Sequence, residues 1–316
     1  MKHVLSITYS QSGQLNDIVT NITDNLSKNI KVHHHKITPV PNFPFPWTGK
    51  SFWNAMPESV QMIPSEIVPL NIDEQIDYDL IIIGYPIWFL SPAIPITTFF
   101  LGNQAKSILS NKPVLTVIGA RNMWVMAQEE IKKMISECNG KLVGNIALCD
   151  KHYNLISVVT IIYWMMSGNK NNFLGIFPKP GISDEDISNV SVFSPVISNS
   201  VTNSDYDTLN EKLVNLKSAR LIPDIVSIEE KGKRMFKIWS KFILKKGGPE
   251  SNKRSFRLKI FSRYLLFVIF VVSPIASLIY YLTLLKFPIF INLLLFFLSL
   301  FSHRSHALRC SLLLLQ

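Results

Sequence analysis

Uninterrupted apolar runs at 78–84 (YDLIIIG) and 113–119 (PVLTVIG), with a shorter one at Val4, Leu5 and Ile7, predict strands buried on both faces, as in a parallel sheet. Ile18, Val19, Ile22 and Leu26 recur at helical spacing, and 31–37 (KVHHHKI) reads as a second strand. A helix is expected over about 95–109, another ends near Cys138, and 141–149 (KLVGNIALC) is the fifth strand. Strands alternating with helices over residues 1–150 predict an α/β domain: a doubly wound, parallel five-stranded sheet in the order 2-1-3-4-5. Residues 39–76 interrupt it. Their Pro and aromatic content predicts an irregular excursion, neither strand nor helix, that serves as a lid, an interaction surface or a satellite core.

Beyond the sheet, 151–225 reads as a helical extension. Residues 154–167 are apolar nearly all round, yet 14 residues fall short of a bilayer core of about 30 Å, so they form a buried helix or one dipping into the interface. Amphipathic helices are expected at 184–190 and 205–216, with a loop between them. Residues 226–263 form a basic amphipathic segment that places Met235, Phe236, Trp239, Phe242 and Ile243 on one face, suited to a membrane surface or to docking on the body. Residues 264–302 are expected as a transmembrane helix or hairpin; 303–316 support no reading.

Charge sharpens this picture. Of the net +10, residues 231–263 carry +11, with 12 Lys/Arg against Glu250 alone, and 264–316 carry +3, so the body up to 230 is −4. A basic block abutting an apolar tail points to anionic lipid rather than nucleic acid and sets the body on the cytoplasmic face of the inner membrane, C-terminally anchored. Three widely spaced cysteines, Cys138, Cys149 and Cys310, fit a reducing compartment. No metal is expected: the neighbours His33, His34 and His35 alternate across a strand and cannot converge.

Candidate chemistry gathers in three loops that such a sheet brings to its carboxyl edge. Ser10, Gln11, Ser12, Gly13 and Gln14 open a helix whose first N–H groups suit a phosphate. Pro86, Ile87, Trp88 and Phe89 in the second loop, and Ala120, Arg121 and Asn122 in the third, add flat apolar walls and one cation. A phosphate end beside such walls fits FMN better than a dinucleotide, since G-x-G-x-x-G is absent.

The phrases YSQSGQL, GYPIWFLSPAIP and IGARNMW resemble the flavin-contacting loops of flavodoxin-like proteins. PFPW (44–47), PESV (57–60), WFLSP (88–92), RNMWVMAQE (121–129) and KLVGN (141–145) carry a closer resemblance, over about residues 1–285, to the dialkylresorcinol condensing enzyme family of dialkylresorcinol and aryl-polyene biosynthesis. The resemblance implies a flavin-dependent redox role, since condensation needs an activated Cys that the sequence does not offer. A ketosynthase, with its acyl carrier protein, would build the ring, and this protein would oxidise a dialkylcyclohexanedione to the resorcinol. The resemblance departs at Leu15, where flavodoxins usually carry Thr or Ser. Arg121 is expected to stabilise an enolate or the flavin carbonyl edge, or to pair with a carboxylate; His152 is the candidate base. Two alternatives share the fold: an NAD(P)H:quinone-type flavin oxidoreductase, and a non-catalytic membrane scaffold for the ketosynthase.

Overall fold

The computed structural model describes residues 1–276, 278 and 279. In chain order come β1 (Lys2–Thr8), α1 (Gln14–Asp24), β2 (Ile30–Lys36), β3 (Pro39–Val40), α2 (Gly49–Gln61), β4 (Glu66–Ile67), β5 (Leu80–Trp88) and β6 (Ser91–Pro92). They are followed by α3 (Ile94–Leu101), α4 (Asn103–Leu109), β7 (Pro113–Ala120), α5 (Val125–Glu137), β8 (Lys141–Cys149) and α6 (Asn154–Ser167). The last are α7 (Asp184–Asn189), α8 (Ser194–Asn203), α9 (Leu209–Asn215), α10 (Pro223–Leu244) and α11 (Ser255–Phe267).

Five parallel strands pair in the order β2-β1-β5-β7-β8, and β6 folds back antiparallel on β5. This is the 2-1-3-4-5 order of the flavodoxin-like doubly wound fold. Alternation along the strands divides the core. Leu5, Ile7, Ile81, Ile83 and Ile118 face α2 to α5, whereas Val4, Leu80, Ile82, Leu115 and Val117 face α1 and α7 to α9. The expected single helix over 95–109 is two, because Gly102 is extended (φ −76°, ψ 154°) between α3 and α4.

Three expectations need correcting. Residues 39–76 are not irregular throughout: the 13-residue α2 starts at a capping box of Thr48 and Ser51 and runs on through the buried Pro57. The stretch between the two amphipathic helices is not a loop but α8, whose Ile197 and Val201 are fully buried against α1. Residues 151–225 do not stand apart as an extension, because residues 1–258 form one compact unit and α7 to α9 complete the second helical layer over the sheet.

Of the two readings of the basic segment, α10 takes the docked one. The α10 face bearing Phe236 and Ile243 is buried on the body, against α2 and α5, and Lys233 is buried with it. Arg254 is 1% exposed, makes a two-pronged ion pair with Glu58 (2.5 and 3.1 Å) and donates to Asn54 Oδ1 (2.9 Å) and the Asn54 carbonyl (2.6 Å). The helix that carries the expected apolar stretch starts upstream of Tyr264, at Asn252; Asn252–Ala276, 25 residues, is long and apolar enough to cross a membrane. A second compact unit starts at Lys259. The expected second apolar segment (287–302) and the tail (303–316) lie outside the described residues.

The close approach of α1 to the sheet depends on Gly84. A Cβ there would stand 2.9 Å from Val19 Cγ2 and 3.0 Å from Thr8 Cγ2, two β-branched side chains with little rotamer freedom. Gly84→Ala should therefore cost about 1–3 kcal/mol in urea unfolding, whereas Gly49→Ala, where a Cβ meets nothing within 4 Å, should be tolerated.

Candidate functional site

At the carboxyl edge, Tyr9 N–H donates to the Gly84 carbonyl (3.1 Å), which joins the exits of β1 and β5. The chain then turns through Ser10–Gly13 into α1, with Gly13 at φ 89° as N-cap. Among the described residues, none of the seven backbone N–H groups from Ser10 to Asn16 donates to a protein acceptor; the first helical bond of α1 is Asp17 N–H to the Gly13 carbonyl. Seven unpaired donors at a helix N-terminus are suited to an anion.

The side chains of this loop divide sharply. Gln11 donates to the Pro44 carbonyl (2.6 Å), and Gln14 bonds Ile182 in both directions, Nε2 to its carbonyl (3.0 Å) and Oε1 from its N–H (3.2 Å). Both amides are thus committed to the protein, so their expected part in binding falls to the backbone. Leu15 is a core residue against Gly119 and Ile182, and Asn16 accepts from Thr8 (3.0 Å). Only Ser10 and Ser12 keep uncommitted hydroxyls beside the N–H groups.

The second loop is a tight hairpin. Trp88 pairs with Ser91, and the two residues between them, Phe89 (φ 50°) and Leu90 (φ 59°), are both left-handed. Trp88 lies against Tyr9 (ring centroids 5.8 Å), Phe43 (4.9 Å) and Trp47 (5.2 Å), so aromatics from the 39–76 segment cover it. Phe89 does not share that wall: its ring packs on Phe52 (4.8 Å), Trp53 (6.4 Å) and Phe236 (6.0 Å), toward α2 and α10. Pro86 and Ile87 are half-buried between the two groups.

In the third loop, Arg121 donates to the carbonyl (3.2 Å) and Oδ1 (2.5 Å) of Asn154, and Asn122 donates to the same Oδ1 (2.9 Å). Ala120 accepts the backbone N–H of Asp150 (3.3 Å). Burial works against the Arg121 charge and Asp150 works for it. Sequence reasoning missed Asp150. Its buried carboxylate accepts from His152 N–H (2.9 Å), lies within hydrogen-bond distance of His152 Nδ1 (2.6 Å) and accepts from the buried Ser157 Oγ (2.6 Å). The imidazole itself is 40% exposed, with its ring fixed from one side only. The D-x-H spacing at the end of β8 was the available signal.

Two further residues reach the loops from α10. Glu229, fully buried, accepts from Val125 N–H (3.3 Å) and Met126 N–H (2.9 Å) and so caps α5, whose own N-cap makes no side-chain bond. Lys233 Nζ, also buried, donates to the Leu90 carbonyl (3.0 Å) and Ser91 Oγ (2.6 Å). Burial raises the Glu229 carboxyl, against the pull of its two backbone bonds.

Both described cysteines favour the protonated thiol. Burial pushes the Cys149 thiol up to about 12 and also raises Cys138, so neither is an available thiolate.

No protein-family model and no curated protein matches the chain. Similar solved structures include a flavoprotein in complex with FMN from Lactobacillus acidophilus NCFM, 20% identical over 46% of this chain and 93% of that one, with a TM-score of 0.39. A flavodoxin from the domain Archaea is 12% identical over 63% of this chain and 99% of that one (TM-score 0.35). A flavone reductase is 10% identical over 65% of each (TM-score 0.33).

Burial pushes Lys233 down to about 8, with Lys237 acting in the same direction and Glu130 and Glu229 against it. The unfolded chain keeps that proton up to about 10.4. Between pH 8 and about 10 the unfolded state therefore binds more protons, and stability rises with pH by at most about 1.4 kcal/mol per unit. Thermal unfolding at pH 7, 8.5 and 10 should show this rise in the native protein relative to Lys233→Met, which lacks the titrating group.

Proposed function

We propose that this protein is a flavin-binding oxidoreductase that holds FMN at the carboxyl edge of its sheet and aromatises a lipid-like ring at a membrane. The observation that carries the reading is the run of seven unpaired N–H groups from Ser10 to Asn16, with an Asp-oriented histidine at the same carboxyl edge of the sheet.

The residues present fit the cofactor. The phosphate would rest on the 10–16 backbone with the Ser10 and Ser12 hydroxyls, and Trp88 would flank the ring. Two buried polar atoms at this rim, Tyr9 Oη and Asn122 Oδ1, have no hydrogen-bond partner, and so a donor and an acceptor stand available for a polar ring edge. Burial keeps the Tyr9 phenol protonated, well above the ordinary tyrosine range. When bound, FMN supplies two-electron redox chemistry.

The chain's own share is proton handling and positioning. Asp150 fixes His152 so that Nε2 faces outward as a base for the proton that an alkylated cyclohexanedione loses on becoming a resorcinol. Arg121, held by Asn154, places a cation near the enolate oxygen that proton loss creates. A substrate with two hydrocarbon tails partitions into lipid, which gives the apolar helix Asn252–Ala276 its purpose as a tether. A ketosynthase and an acyl carrier protein are the expected partners upstream. A flavin-free scaffold is the second reading, favoured by the cover that Phe43 and Trp47 place over Trp88.

The full-length protein in detergent should gain thermal stability with added FMN and show flavin absorbance after desalting. His152→Ala should then lower kcat for oxidation of a dialkylcyclohexane-1,3-dione by about 10²–10⁴-fold with FMN affinity unchanged. An unmoved melting temperature at saturating FMN would sink the enzymatic reading and leave the scaffold.

A further inference from the structure

The turn at Phe89–Leu90 has the backbone of one residue pair and the side chains of another. A two-residue hairpin with positive φ at both central positions is built for Asn-Gly or Asp-Gly, because bulky L-residues crowd their own carbonyls there. Here a phenylalanine and a leucine occupy it, so the surroundings must impose the shape. Four groups do so. Ser59 Oγ donates to the carbonyls of Trp88 (3.0 Å) and Pro92 (3.3 Å), on either side of the turn. The Phe89 ring is held among Phe52, Trp53 and Phe236. The Lys233 ammonium bonds the Leu90 carbonyl and Ser91 Oγ from below.

Phe236 and Lys233 belong to α10, and so does Glu229, one turn before Lys233, which caps α5 directly behind the third loop. One helix thus grips both of the loops that flank the candidate ring site, through main-chain atoms, the Ser91 hydroxyl and the Phe89 ring. We propose that α10 is a latch: Lys233 and Glu229 are positioning residues that hold the Trp88 hairpin and the start of α5 in their ligand-ready shape. Unseating α10 would let the hairpin relax and move the Trp88 wall away from the 10–16 loop. The proposal rests on the flavin reading for its ligand, though not for its mechanics.

The experiment uses the full-length protein in detergent and reads two quantities. Amide hydrogen exchange, without flavin, should be about tenfold faster over 86–92 in Lys233→Met while strand residues 80–84 and 113–118 keep native protection. FMN affinity should fall by a similar factor. Adding Leu90→Gly, which accepts positive φ freely, should restore both in the double variant, a rescue that a purely general stabilising role for Lys233 would not produce. Ser91→Ala, which removes one of the two acceptors, should give an intermediate effect and serves as the test if Lys233→Met fails to fold. Unchanged exchange at 86–92, or no rescue by Leu90→Gly, would overturn the latch. Normal exchange changes with no FMN binding in any variant would leave the latch standing and remove the flavin.

Discussion

An ammonium group withdrawn from water beneath a turn of two bulky residues is the constraint around which this molecule closes. A left-handed L-residue costs roughly 1–2 kcal/mol, and the turn holds two in succession. Burying Lys233 adds a further desolvation cost, visible in its depressed proton affinity. Neither would persist alone. Together they are offset by hydrogen bonds to a carbonyl and a hydroxyl and by the aromatic packing of Phe89, so each cost is met by the contacts that impose the other. Removing one partner of such a set leaves a buried polar group unpaired, which is why its members act as a unit.

The same arrangement explains why α2 and α10 lie where they do. The Pro- and aromatic-rich segment supplies Ser59 and Phe52 to the hairpin and Phe43 and Trp47 to the Trp88 wall, while Glu58 takes Arg254. Below the rim, Tyr85 donates to Gln128, which donates to Thr116 (3.0 Å), which donates to Asn145 (2.9 Å). This buried chain ties α5 to three adjacent strands, so the third loop is anchored through the sheet as well as through Glu229.

The sheet was legible because strands buried on both sides leave continuous apolar runs, and the turn into α1 because a small polar loop opened a periodic helix. What escaped was set by pairing across long sequence distance. The α2 helix was hidden by its prolines, although Thr48-x-x-Ser51 announces its start. The α8 helix was hidden by its Ser and Asn content, although its serines pack inward here through bonds such as Ser194 to the Ile22 carbonyl (2.7 Å). Lysines at 233 and arginine at 254 were counted with a solvated basic face, since charge in a sequence carries no sign of burial. Gln11 and Gln14 were grouped with the ligand, although their amides serve residues 33 and 168 positions away.

The bond between Gln14 and Ile182 also bears on the order in which the protein can be made. A chain emerging from the ribosome exposes its first strand and first helix long before residue 182 has been polymerised, and α10 appears later still. The strands can pair early, but the 10–16 loop and the hairpin beside it reach their final form only after most of the chain has left the exit tunnel. The final shape of the 10–16 loop therefore belongs to the finished polypeptide, and a nascent chain would carry the sheet without it.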